Sequence, residues 1–202
     1  MTSHPDSRTG PAFPRTPGEP TGPTAPPAPL TPAQQQTWLL GMLAPGRPAT
    51  HVSACLGLAG DTDRPALLEA LRGAAAAHLS PGARFTVSGG TPVRLSAEPL
   101  ELPVLYSDVS GLDEEERSRR TREESAEAVR APFDPESGPL SRALLLRTGS
   151  GEHRLLLVAH RLVADQSLLQ RALRDTAAAY GALTGKGAAP EAAGRPADQI
   201  AA

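Results

Sequence analysis

Ala143-Leu-Leu-Leu-Arg147 and Arg154-Leu-Leu-Leu-Val-Ala159 are two apolar runs separated by Thr148-Gly-Ser-Gly-Glu152. Short apolar runs bounded by a glycine-containing turn read as strands, and so short a link makes them partners in an antiparallel hairpin. A turn follows, and then Leu168, Leu169, Ala172, Leu173, Thr176, Tyr180 and Leu183 fall along one face of a helix. Two adjacent apolar strands feeding an amphipathic helix predict an α+β fold: a mixed or antiparallel sheet with helices packed on one face.

Working back from the hairpin, the pattern alternates helices and strands. Asp113 to Arg130 carries seven acids and five arginines and predicts a solvated helix. Val104-Leu-Tyr106 reads as a short strand. Arg84–Val87 and Pro92–Leu95 flank Ser88-Gly-Gly-Thr91, a second hairpin. Asp63 caps a helix that has Pro65 near its start and Leu67, Leu68 and Leu71 on one face. His51–Ala59 reads as a strand bearing Cys55. Thr31, Pro32 and Gln34 form the start signal of a first helix, whose apolar stripe is Trp38, Leu39 and Met42.

Composition sets the outer limits. Ten of the 22 prolines lie in the first 32 residues, and from Gly185 the chain is mostly Ala, Gly and Pro. The expected organisation is a proline-rich tail over 1–29, one folded lobe over 30–184 and a second tail over 185–202. Prolines recur every third residue from 11 to 32, which matches the three-residue turn of polyproline II. The tail then serves as a stiff spacer, or as a ligand for an aromatic groove through Pro14-Arg-Thr-Pro17.

A net charge of −2 and 3% aromatic residues give no support to nucleic-acid binding. No apolar run approaches the ~20 residues of a membrane span, and the N-terminus lacks the basic and apolar regions of a signal peptide. A cytoplasmic location is the expectation. With one cysteine there is no internal disulfide and no cysteine zinc cluster, and the five histidines show no metal-ligand spacing. No GxGxxG or GxxxxGKS element supports a nucleotide.

Three stretches, taken together, resemble the condensation domains of nonribosomal peptide synthetases. Leu30-Thr-Pro-Ala-Gln-Gln-Gln-Thr-Trp38-Leu-Leu is similar to their opening helix. Pro132-Phe-Asp-Pro-Glu-Ser-Gly-Pro-Leu-Ser-Arg-Ala-Leu-Leu-Leu-Arg147 resembles the FD…GPL-x-RA-x-LLR strand entry. Leu157-Val-Ala-His160-Arg161-Leu-Val-Ala-Asp165-Gln166 falls where the family carries HHxxxDG. The resemblance implies a chloramphenicol-acetyltransferase-like lobe. It covers the first of the family's two lobes, and an acetyltransferase of that type completes its sites by trimerising.

The family's second motif histidine is the catalytic one, and Arg161 stands there. Imidazole titrates near neutral pH and can accept a proton; guanidinium has donors only and stays charged. An arginine can hold an oxyanion or a phosphate but cannot act as general base, a loss worth a factor of about 10² to 10⁴ in rate. His160 matches the motif's structural histidine. Asp165 matches the aspartate thought to pair with an arginine of a second motif, RHExLRTxF. That motif is eroded here to Ala77-His-Leu-Ser-Pro-Gly82-Ala-Arg84-Phe, with Gly82 in the arginine's place and Arg84 as a possible substitute. The alternative is that Asp165 caps the final helix. Gln166 replaces the motif glycine.

These departures point from chemistry towards binding. The expectation is a non-catalytic, condensation-like protein of secondary-metabolite biosynthesis whose partner is a carrier protein, a synthetase module or a complementary lobe. No cofactor is expected to bind directly; the phosphopantetheine arm of a partner carrier is the one that would reach it. The competing expectation is an acyltransferase completed by oligomerisation, with His160 or a neighbour's residue as base.

Overall fold

A computed structural model describes residues 25–43 and 50–185. The proline register up to residue 23 and the C-terminal tail from residue 186 lie outside the described residues. The elements run β1 (Ala28–Pro29), α1 (Pro32–Leu43), β2 (His51–Ala59), α2 (Arg64–His78), β3 (Ala83–Ser88), β4 (Thr91–Ser96), β5 (Val104–Asp108), α3 (Glu114–Arg130), β6 (Ser141–Gly149), β7 (Glu152–His160) and α4 (Gln166–Thr184). β1 falls inside the stretch assigned to the proline tail, because Ala28 and Pro29 pair with Arg94 and Val93 of β4.

The β6–β7 hairpin forms the middle of a four-stranded sheet in the order β2-β7-β6-β5, antiparallel except for the parallel β5–β6 pair. Both hairpin strands are apolar on both sides, as buried central strands must be. Alternate residues divide between two cores. Leu145, Leu155, Leu157 and Ala159 join Val52, Ala54 and Leu56 under α2 and α4. Leu144, Leu146, Leu156 and Val158 join Ala128 of α3 on the opposite face. The expected one-sided packing thus describes α2 and α4, while α3 lies across the other face. α3 can do so because Thr121, Glu124, Ser125 and Ala128 make a narrow inward stripe. Its outer surface carries the charges, with Arg119 bridging Glu116 and Glu123 one turn either way.

A second sheet, β1-β4-β3, is built from the Ser88–Thr91 hairpin, where Gly89 and Gly90 both take the positive φ that the turn requires. Phe85 from this sheet packs with Leu30, Leu140 and Leu162, and Trp38 leans on the same cluster. This small core places α1 beside the residues that follow β7. The Thr31–Gln34 capping box is formed in both directions, at 3.0 and 3.3 Å. The stripe read from α1 is not buried, however. Leu39 and Met42 are exposed together with Leu40 and Leu43, and Trp38 alone among these turns inward.

Candidate functional site

The motif stretch crosses from the end of β7 to the start of α4. His160 is the last residue of β7 and lies opposite His51, the first of β2. Its backbone N–H donates to Leu140 O, just before β6, at 2.9 Å. The next residue, Arg161, donates its N–H to Thr50 O at 2.8 Å, so the chain is still fastened to β2 as it turns. The alternation of the strand then decides the two side chains: His160 points into the protein and Arg161 out of it.

His160 is 6% exposed. Leu162 N–H donates to its Nδ1 at 3.2 Å, which places the ring proton on Nε2. Burial, reinforced by the neighbouring His51, pushes its pKa down to about 4. His51 donates from Nδ1 to Val129 O at 2.7 Å and is also held below the usual imidazole range, chiefly by burial. The His51 ring meets Phe133 edge-on at 4.9 Å and His160 at 5.8 Å. Arg142 closes the cluster, with its guanidinium 3.6 Å from the centre of the Phe133 ring and donating to Ala131 O at 2.6 Å. Burial lowers the Arg142 pKa to about 10, which leaves it a cation at neutral pH. Two histidines, a phenylalanine and an arginine therefore tie the end of α3 to the ends of β2 and β7.

On the outer side the picture is different. Asp165 has the extended backbone of a helix N-cap, and its carboxylate accepts from Leu168 N–H and Ser167 Oγ, both at 2.8 Å. These hydrogen bonds, led by Leu168, hold its pKa below the ordinary carboxylate value. The Asp165–Arg84 pairing does not form, and the alternative role, capping α4, accounts for the carboxylate. Arg84 is buried on β3, in the other sheet from the one on which α4 packs. Gly82 cannot be the seat of a side chain in this backbone, since a Cβ there would stand 2.1 Å from Ala97 O. Gln166 begins α4 and donates from Nε2 to Ser53 O of β2 at 3.1 Å. The residue in the glycine's position thus pins the new helix to the edge strand. Gln34 of α1 makes a similar tie, from Nε2 to Leu162 O at 2.9 Å.

The chemistry open to this group is limited. His160 is neutral and buried, and its Nδ1 is occupied. Arg161, at the surface, offers donors and permanent charge. No proton acceptor with a pKa near neutrality stands at the turn itself.

This combination of fold and turn has clear relatives. Residues 26–196 match the Condensation domain family. The chain belongs to that family. Phosphinothricin tripeptide synthetase PhsC of Streptomyces viridochromogenes is 35% identical over 180 residues, covering 87% of this chain and 16% of the synthetase. Chondramide synthase cmdD of Chondromyces crocatus is 33% identical over 158 residues, covering 78% of this chain and 4% of that enzyme. Among solved structures, the first condensation domain of the CDA synthetase aligns with a TM-score of 0.69 and 26% identity, over 84% of this chain and 44% of that one. The starter condensation domain of rhizomide synthetase RzmA, at 20% identity and a TM-score of 0.67, shows the same fold over 80% of this chain and 40% of its own. The chain therefore spans less than half the length of these condensation-domain structures.

Sequence reasoning placed His160, Arg161, Asp165 and Gln166 together, and they are together. It did not find His51, Phe133 or Arg142 as parts of the cluster. Phe133 and Arg142 lie within the quoted FD…GPL-x-RA stretch, so the signal was present without a role attached to it. His51 gave no signal of its own; it joins the cluster through its strand register with His160.

Proposed function

We propose that this condensation-domain relative of nonribosomal peptide synthesis works by binding rather than by catalysing amide formation. Its partner would be a carrier domain, a complementary condensation lobe or another enzyme of the pathway. The observation that carries the reading is the split between two adjacent residues. The buried imidazole of His160 titrates near 4 and has its Nδ1 filled by Leu162 N–H, and the exposed side chain beside it is the guanidinium of Arg161. A condensing site needs a group that takes a proton from, or orients, an amine near neutral pH. Neither residue can supply one.

A cationic, donor-rich side chain at the turn suits recognition of an anionic group instead. The phosphate of a carrier's phosphopantetheine arm is one such group, and a docked carrier would bring it here. The test is to present acyl-loaded carrier protein and an amine-loaded acceptor to the pure chain and to an Arg161→His variant. Carrier binding without product in the wild type is the expected result. Amide product formed by the wild type would overturn the reading. Product formed by Arg161→His alone would mean that the rest of the site is intact and that Arg161 is what silences it.

A further inference from the structure

Each sheet of this protein ends in two edge strands, and the four edges are treated differently. β1 is two residues long and ends in proline. β3 is covered by the chain that follows α3: Phe85 N–H bonds Pro135 O at 2.8 Å, and Thr86 Oγ1 bonds Glu136 at 3.1 Å. β5 has five residues and finishes at Asp108, which is paired with Arg147. Short length, proline, charge and cover are the usual protections of an edge. β2 has none of the first three. It runs nine residues, His-Val-Ser-Ala-Cys-Leu-Gly-Leu-Ala, with no proline and no Asp, Glu, Lys or Arg.

The ladder fixes which of its backbone groups are open. Arg161 N–H bonds Thr50 O and Gly60 N–H bonds Gly151 O, so even-numbered residues face β7. Residues 51, 53, 55, 57 and 59 therefore turn their N–H and C=O groups away from the sheet. Gln166 occupies Ser53 O. Among the described residues, Cys55, Gly57 and Ala59 remain as an open run at the more exposed end of the strand, where burial falls away from Cys55 to Ala59.

We propose that this edge pairs with β2 of a second copy of the same chain, antiparallel across a twofold axis at Leu56. Self-pairing is favoured by three features of the strand. It is uncharged, so two copies meet without like charges opposed. An axis at Leu56 sets Cys55 against Gly57 of the second copy, both of which turn their backbone groups outward, so the pair can exchange N–H···O bonds in both directions. The same register sets Ala54 against Leu58, a small residue against a large one, and Ser53 against Ala59, and leaves the Gln166 contact at the rim. The two sheets would become one, and the two candidate sites would be carried on a single dimer.

Cys55 is the sole cysteine of the chain and serves as the reporter. In this register the two thiols lie on the same face at diagonal positions, with Cα atoms about 7–8 Å apart. Sedimentation of the full chain at micromolar concentration should give a dimer, and a short bismaleimide should convert it to a covalent dimer that Cys55→Ser abolishes. Gly57→Pro removes an outward N–H without touching the β7 ladder, and Ala59→Lys puts a charge on the open end. Each should weaken dimerisation about tenfold or more while the circular dichroism spectrum is kept. Should Gly57→Pro fail to fold, Ala59→Lys, at an exposed position, decides the point. A monomeric wild type, a dimer indifferent to both substitutions, or a dimer that does not cross-link at Cys55 overturns the proposal. A monomer that captures a strand from a different polypeptide overturns it as well. The inference is independent of the proposed function: carrier binding by the monomeric Ala59→Lys variant would leave that reading standing.

Discussion

The inner and outer sides of the β7–α4 turn are built to opposite specifications, although they are adjacent in sequence. Inside, the rings of His51, His160 and Phe133 meet edge to face with the Arg142 guanidinium over Phe133, and His51 Nδ1, His160 Nδ1 and the Arg142 guanidinium each hydrogen-bond to the backbone. Outside, Arg161 is exposed, Asp165 is spent on capping a helix, and Gln166 is tied to Ser53 O. The inner side holds the shape of a condensation-domain turn. The outer side is where the residues depart from the HHxxxDG pattern. Two neighbouring residues thus serve different ends: His160 packs inside, and Arg161 has its side chain in solvent.

The largest effect should come from the inner side. His160→Ala removes a buried ring and leaves Leu162 N–H without its acceptor, and is expected to cost about 2–4 kcal/mol of unfolding free energy. Denaturant titration at pH 7.5 measures it. A loss below 1 kcal/mol would mean that the cluster does not hold the turn.

Acid should break the same side without mutation. His160 has a pKa of about 4 in the folded protein, against about 6.5 for an unperturbed histidine. Between these values the unfolded chain binds the proton and the folded chain does not. The stability this burial permits is therefore complete above pH 6.5 and is lost as pH falls from 6.5 towards 4, by about 2–3 kcal/mol. The depressed pKa of His51 acts in the same direction. Stability measured across pH 4–7 in wild type and His160→Gln should give a steep and a flatter profile respectively; identical slopes would assign the pH dependence elsewhere.

On the outer side, Asp165→Ala should cost about 1 kcal/mol, the usual worth of an N-cap, and Asp165→Asn should recover most of it. If Asp165 instead paired with Arg84, the asparagine would fail to rescue, since it carries no charge. Thermal unfolding of the two variants separates these outcomes.

The inner and outer sides also differ in how far they could be read from sequence. The paired strands, both hairpins, the cap residues Thr31 and Asp63 and the order of elements from α1 onward were legible, because period-two and period-3.6 patterns and cap chemistry act locally; the Asp165 cap was one of two readings, and β1 was missed. The motif residues were legible through the resemblance. What was hidden depends on distance in the chain: His51 reaches His160 only through the β2–β7 register, and the side of the sheet that α3 covers depends on a few small inward residues. The stripe on α1 misled for a related reason. A helical period in apolar residues predicts a buried face only if another element stands against it, and Leu39, Leu40, Met42 and Leu43 have none among the described residues. The erosion at Gly82 looked like a lost arginine, and the backbone gives the reason: the chain passes too close to Ala97 O for any side chain there.

The smallest expected effect sharpens the comparison most. Arg161 has its backbone N–H fixed to Thr50 O, a bond that any residue except proline can make, while its side chain stands in solvent. Arg161→Ala should therefore change unfolding free energy by no more than about 0.5 kcal/mol, in contrast to the several lost at the neighbouring position. Nothing in the fold then requires an arginine at 161, and its charge is left free to be judged by binding alone. A carrier protein bearing a phosphopantetheine arm should bind Arg161→Ala more weakly than wild type, with the difference shrinking as salt screens the phosphate. If instead Arg161→Ala destabilises the chain as much as His160→Ala does, the guanidinium is part of the inner architecture, and the division between a shape-keeping side and a binding side of this turn fails.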